Sequence, residues 1–301
     1  MSQKSVEHKP SETAVFAALH RAIANKEFRS DRFGPDYLAE YFLPAHFRFF
    51  IKFKKIRINI KKKLKKLLPG LHEYIIARTA WFDSVFSDAI KKEIPQIVML
   101  GAGYDSRAYR FAKLNGATKI IELDIAPTQN RKRKCLRKAR IEIPKHVTLV
   151  PIDFNKEPLK NVLEKAGYEN HKKTLFLWEG VSYYLDSESV DTTLKFISRS
   201  SHKESVIAFD YTTSVSEEEK NYGAKEFYQT MKKQHANEGL LFALDGNKTE
   251  SFLEQRGLKI IDHMDSREIE RTFLLNENGS SIGQITGNFR FVSASPENQK
   301  Q

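Results

Sequence analysis

Five short apolar runs govern what this chain can become. They occupy residues 97–100, 119–123, 147–150, 174–178 and 205–209, and their starts lie 22–31 residues apart. That spacing leaves room for a loop, a helix and a second loop between one strand and the next. Apolar runs that alternate with helical segments specify a parallel sheet with helices on both faces. Two further strand-like runs, 258–261 and 288–292, have no long helical stretch between them, which predicts an antiparallel final pair. At 301 residues and 40% hydrophobic content the chain can bury a large single core, which excludes wholesale disorder. One cysteine, Cys135, excludes a disulfide scaffold, and the absence of 18 consecutive apolar residues excludes a conventional spanning helix. The first residues read as a polar tail and not a signal peptide, so a cytoplasmic location is expected.

Before the first strand the pattern is helical. Residues 13–24 carry apolar side chains at helical spacing, 36–42 suit a further turn, and 73–92 suit a helix leading into the sheet. The expected organisation is a helical cap over 1–94, then a core over 95–301 with an insertion at about 211–252.

Segment 49–67 stands out within the cap. Phe49, Phe53, Ile56, Ile60, Leu64 and Leu67 form an apolar stripe, and nine basic residues with no acidic one lie between Lys52 and Lys66. Without those nine the net charge falls from +12 to +3, so the high pI is local. The stripe suits a lid with solvated lysines, an anionic membrane surface, or an acidic partner such as a carrier protein. A second basic cluster spans 131–140. Nucleic acid is the weaker fit, because the aromatic residues of 49–67 sit at one end and are not interleaved with the bases.

The first run ends in Gly101-Ala102-Gly103, and Asp124 follows Gly103 by 21 residues at the end of the second run. Two glycines let the backbone approach a ligand, and an acid about 20 residues later is placed to accept hydrogen bonds from ribose hydroxyls. A dinucleotide fold would want a third glycine where Ser106 stands, which favours a nucleoside without a pyrophosphate over NAD.

Several segments then resemble one family: Arg78-Thr79 with Phe82-Asp83; 96–110 around the glycines; Glu122-Leu123-Asp124 with Pro127 and Gln129; 151–154; and Trp178 to Leu185. Their order is similar to that of the leucine carboxyl methyltransferase family, in its bacterial branch of small-molecule O-methyltransferases of the polyketide type. The resemblance implies a class I methyltransferase (Rossmann-like) α/β fold, a seven-stranded sheet with an antiparallel last strand. It implies S-adenosylmethionine as cofactor. By it Arg78 grips the methionine carboxylate, and Gly101 and Gly103 pass under the methionine and ribose. Asp124 holds the ribose, Asp153 and Phe154 meet the adenine, and Glu179 sits at the amino-acid end. The bland readings stand beside these: Asp153 also suits a helix cap, Arg78 a helix surface, Glu179 a solvated strand end, and Trp178 the core.

The expected activity is methyl transfer to an oxygen, carboxylate or hydroxyl, of a small molecule. An RNA or protein methyltransferase and a non-catalytic cofactor-binding adaptor are the alternatives. A carboxylate acceptor needs no base, whereas a hydroxyl does. Tyr183, Asp210, Tyr211 and His235 are the candidates, none singled out by spacing. The nine histidines are scattered, with no metal-ligand spacing.

Overall fold

The computed structural model describes residues 9–28, 32–154, 156–214, 222–234 and 240–297. Four helices come first: α1 (Glu12–Phe28), α2 (Ala45–Phe50), α3 (Lys54–Leu67) and α4 (Leu71–Lys91). Strands and helices then alternate: β1 (Gln96–Leu100), α5 (Arg107–Arg110), β2 (Lys119–Asp124), α6 (Ala126–Lys138), β3 (Val147–Pro151), α7 (Leu159–Lys165), β4 (Thr174–Trp178), α8 (Ser187–Ser200) and β5 (Val206–Thr212). The chain ends with α9 (Ala224–Gln234), α10 (Thr249–Glu254), β6 (Leu258–Met264), α11 (Ser266–Phe273) and β7 (Phe289–Pro296). The strands form one seven-stranded sheet in the order β3-β2-β1-β4-β5-β7-β6. β7 runs antiparallel to both neighbours, as the last two apolar runs predict.

Alternation along the central strands explains why the sheet is covered on both faces. In β1, Ile97 and Met99 join the core shared with α1 and α4, while Val98 and Leu100 join the core under α7, α8 and α10. β4 repeats this in register: Leu175 and Leu177 face one way, Phe176 and Trp178 the other. A period of two with both faces apolar yields the unbroken hydrophobic runs of the sequence. Trp178 is fully buried and belongs to the core. At the open edge, β6 carries Lys259 and Asp262 and a register irregularity at Ile260/Asp262, features that discourage pairing with another strand. No helix among the described residues is long and apolar enough to cross a membrane.

The stripe of 49–67 divides where a single helical face is expected. Residues 51–53 break it into α2 and α3, and Arg57 turns back to donate from Nη1 to the carbonyls of Ile51 (2.9 Å) and Lys52 (3.1 Å). Ile56, Ile60 and Leu64 are half-buried, whereas Phe49, Phe53 and Leu67 are exposed. Segment 222–234 and the N-terminal helices meet over the C-terminal ends of the parallel strands: Phe227 of α9 packs against Phe289 of β7, and α1 lies over the glycine loop, with Arg21 Nη2 donating to the Tyr104 carbonyl at 2.8 Å.

Between α1 and α4 the imidazoles of His20 and His72 face each other, Nδ1 to Nδ1 at 3.0 Å, so one donates and the other accepts and both are neutral. Burial lowers both pKa values, that of His72 to about 3, with Lys61 adding to the effect. The unfolded chain therefore binds protons on these rings below the ordinary value of 6.5 while the folded chain does not, and stability is lost as pH falls towards 3. His72 alone costs about 2 kcal/mol at about pH 5. Denaturant titrations of the wild type and His72→Gln between about pH 7 and 5 should show a shallower acid decline in the variant. Parallel declines would contradict this account of the pair.

Candidate active site

Four acidic or glycine positions fall at the C-terminal ends of adjacent parallel strands. Gly101 follows β1, Asp124 closes β2, Asp153 lies just beyond β3, and Glu179 follows β4. In open α/β sheets this crevice is where ligands bind, because the loops there diverge and leave space between them. Here they enclose a cavity of about 580 Å³. Arg78, Gly101, Gly103, Asp124, Asp153, Phe154 and Glu179 all line it. Its inner wall is apolar and aromatic, formed by Leu68, Leu71, Phe227, Met231 and Phe289 with Tyr74 and Tyr183, while the exposed Leu241 lies at its rim.

The glycine loop needs its glycines. Gly101 and Gly103 have φ of +72° and +48°, in the left-handed region. A Cβ on Gly101 would lie 2.5 Å from Val181 Cγ2, and one on Gly103 3.3 Å from Ala14 Cβ. The loop is tied to β2 by Asp124, whose Oδ2 accepts from Gly103 N at 2.6 Å and whose Oδ1 accepts from Ile125 N at 2.7 Å. Burial pushes the Asp124 pKa up to about 6, against those backbone bonds.

Ser106, where a dinucleotide motif would place glycine, is buried and occupied. Its hydroxyl donates to Asp36 Oδ1 at 2.7 Å and accepts from Arg110 Nε at 2.8 Å. It opens a chain of buried ion pairs. Arg110 holds Asp83 through two nitrogens at 2.7 and 2.6 Å, and Arg107 reaches Asp83 at 2.7 Å, Glu179 at 2.6 Å, and Asp105. Glu179 is shared with Arg78, whose Nε lies 3.0 Å away. Arg78 Nη1 in turn donates to Tyr183 Oη at 3.2 Å and lies 3.5 Å from Asp210 Oδ2. Glu179 is thus clamped between two arginines, and Arg78 presents a fixed cation at the cavity wall.

The four base candidates separate. Tyr183 lines the cavity, but burial and then the Asp210 charge hold its phenol well above the ordinary value, so it keeps its proton. Asp210 is fully buried behind the wall, accepting from Tyr74 Oη and, at 2.6 Å, from Gly180 N. Tyr211 faces the opposite core, hydrogen-bonded to Thr249 Oγ1 at 2.6 Å and His263 Nε2 at 2.9 Å. His235 lies outside the described residues. The helix after β3 starts behind Pro158 without a side-chain cap, so Asp153 does not cap it.

Arg21, Tyr74 and Asp105 also line the cavity; Asp105 falls inside the 96–110 motif, whereas Arg21 and Tyr74 have no role in the sequence reading. For Arg21 a signal exists: it and His20 interrupt an otherwise apolar stretch, and residues 18–24 are buried on every side. Nothing in the sequence links Tyr74 to Asp210, 136 residues away.

The second basic cluster, on α6, is partly consumed by structure. Lys132 is buried against Glu122 at 2.6 Å, Arg131 donates to the Phe42 carbonyl at 3.1 Å, and Arg133 to that of Leu149 at 3.1 Å.

Comparison with known proteins agrees with this architecture. The model of the family described as leucine carboxyl methyltransferase matches residues 14–198. A Bacillus subtilis protein that carries the provisional name S-adenosyl-L-methionine-dependent methyltransferase YktD is 28% identical over 67% of this chain and 66% of its own length. A provisionally named S-adenosyl-L-methionine-dependent methyltransferase of Mycolicibacterium gilvum is 34% identical over 48% of this chain and 56% of its own. The chain therefore matches somewhat less than two thirds of the length of these curated relatives. Among solved structures, a Thermobifida fusca protein provisionally described as a methyltransferase superposes with a TM-score of 0.61, at 13% identity over 96% of both chains. A duf574 family protein from Streptomyces avermitilis gives 0.59, at 12% identity over 93% of this chain and 97% of that one. At such identities these two establish the fold alone: a class I methyltransferase sheet.

Proposed function

Because the chain belongs to the leucine carboxyl methyltransferase family, we propose that it transfers a methyl group from S-adenosylmethionine to a carboxylate oxygen of a small, largely apolar molecule. The carrying observation is the cavity itself. A carboxylate and a two-glycine loop stand at one end, an apolar inner wall stands at the other, and the volume of about 580 Å³ lies in the range of small-molecule sites.

The residues fit the cofactor. The glycine loop lines the cavity in a left-handed backbone conformation that residues with a side chain rarely adopt, and Asp124 is an acceptor of the kind ribose hydroxyls seek. Arg78 would bind a carboxylate, held in place by Glu179, Tyr183 and Asp210. Asp153 and Phe154 would meet an adenine, by hydrogen bond and ring face. When bound, S-adenosylmethionine supplies an electrophilic methyl group on a sulfonium cation. Glu179 and the rings of Tyr74 and Tyr183 make the wall around it compatible with positive charge.

Proton bookkeeping supports a carboxylate as the acceptor. Tyr74, Tyr104 and Tyr183 are three of the four phenols that line the cavity, and burial raises the pKa of all three, so none of them is a base near pH 7. Asp210 is already engaged and lies behind the wall. An acceptor that arrives ionised needs none of them. The chain's work is then to align the acceptor oxygen and exclude water.

Incubation with methyl-labelled S-adenosylmethionine and a fractionated cell extract tests this. Label should enter the organic-soluble small molecules and be released as methanol by mild base, as an ester is. Label in protein or RNA, or a base-stable product, would replace the proposal with one of those acceptors.

A further inference from the structure

We propose that the α2–α3 corner is a docking surface for an anionic phospholipid bilayer. The inference stands independently of the reaction assigned above. Large apolar side chains are exposed here in unusual density: Phe47, Phe49, Phe50 and Phe53 are 37%, 55%, 44% and 48% exposed, and Ile58 and Leu67 follow along α3 at 39% and 47%. Six of the ten large apolar residues exposed among the described residues therefore fall within 21 consecutive positions. Scattered exposed leucines are ordinary on a protein surface, but a contiguous patch marks an interaction site. Phe49 stands edge-on to both Phe50 and Phe53, at 5.9 and 5.3 Å between ring centroids, so three of the four rings form one cluster.

Charge selects the occupant. Helix α3 exposes Lys54 and Lys55 beside that cluster and Lys62, Lys63, Lys65 and Lys66 along its remaining length. None of these six lies within ion-pair distance of a carboxylate among the described residues, whereas Lys61, on the inward side, is paired with Glu27 at 2.6 Å. Only Arg57 of the fourteen residues of α3 is buried. A helix that contributes so little to the core, with apolar rings at one corner and unpaired cations beside them, fits a layer whose outer plane is anionic and whose interior is apolar. An acidic protein would satisfy the lysines but leave the phenylalanine cluster without a partner. RNA would want aromatic side chains interleaved with the bases, and here they precede them.

The surface also borders the cavity. The residues that follow α3, Leu68 and Leu71, line it. Thr230 of α9 donates to the Leu67 carbonyl at 3.1 Å, and Met231 beside it lines the same cavity. A bilayer on this corner would lie next to the site's apolar wall.

Vesicle flotation tests the proposal, with phosphatidylcholine vesicles and with vesicles in which part of it is replaced by phosphatidylserine. The wild type should float with the anionic vesicles only, and less so at high salt. Reversal of four lysines (K62E, K63E, K65E and K66E together) should weaken that binding at least about a hundredfold. The pair Phe49→Ser and Phe53→Ser should weaken it about tenfold or more even at low salt. Both variants should retain the wild-type melting temperature and S-adenosylhomocysteine affinity, since none of these residues lines the cavity. Equal binding to both vesicle types, or to neither, would overturn the proposal. So would competition by polyglutamate combined with an unaffected phenylalanine variant, which would make the corner a site for acidic protein.

Discussion

Asp124→Ala is expected to weaken S-adenosylhomocysteine binding by at least about a hundredfold, the equivalent of about 3 kcal/mol. Two ribose hydroxyls donating to one ionised carboxylate contribute roughly 1.5–3 kcal/mol each. The same carboxylate also holds Gly103 N and Ile125 N, so its loss loosens the loop under the ligand. A second expectation follows from protonation. Burial pushes the Asp124 pKa up to about 6. Protonation replaces an acceptor by a donor, so affinity should be level near neutral pH and decline below about 6, by up to about tenfold per unit. Asp124→Asn should bind more weakly and lose that pH dependence. Calorimetric titration across pH reads both. A Kd for Asp124→Ala within about threefold of the wild type would remove Asp124 from the site.

Arg107→Met should be the most damaging single change to stability. The guanidinium is 2% exposed and meets Asp83, Asp105 and Glu179 together. Methionine fills much of the volume but leaves three carboxylates close together with their shared cation gone. Breaking a buried pair by removing one partner costs about 3–5 kcal/mol, and here three partners lose the same one. The expected drop in Tm exceeds about 5 °C, or the variant fails to accumulate as folded protein. Arg107→Lys should recover part of the loss, because it keeps the charge but not the fork that reaches three acids. A Tm within about 2 °C of the wild type for Arg107→Met would mean the acids are compensated elsewhere.

The sheet was readable because its determinants are local. Buried parallel strands must be short apolar runs, the crossovers must be long enough for a helix, and a glycine turn must follow the first strand. Residues 97–103 and 119–124 carry all three marks within a few positions. That Gly101, Gly103, Asp124, Asp153, Phe154 and Glu179 would share one cavity was readable for a related reason: each stands at a strand end or in the loop after it, where position in the chain fixes position in space. Arg78 lies on the helix before β1 and was reached through the family resemblance. The base candidates were not resolved, because accessibility to the cavity is a tertiary property. Asp210 and Tyr211 are neighbours in the chain, yet strand alternation sends one to the ion-pair network behind the cavity and the other to Thr249 and His263. The break between α2 and α3 was equally hidden, since it depends on Arg57 bonding back to Ile51 and Lys52 within a stretch whose apolar spacing alone reads as one helix. The arginine network was invisible as a network: Arg21, Arg78, Arg107 and Arg110 come from three helices, and only the fold brings their carboxylates between them.

The central claim is that the cavity at the strand ends is a site for a sulfur nucleoside. Calorimetric titration of the wild-type protein with S-adenosylhomocysteine and, in parallel, with NAD tests it most directly. The account predicts saturable binding of one equivalent of S-adenosylhomocysteine and no heat from NAD, since Ser106 and its ion pairs occupy the place where a pyrophosphate-binding loop would carry its third glycine. Binding of NAD with none of S-adenosylhomocysteine, by a protein whose melt shows it folded, would contradict it.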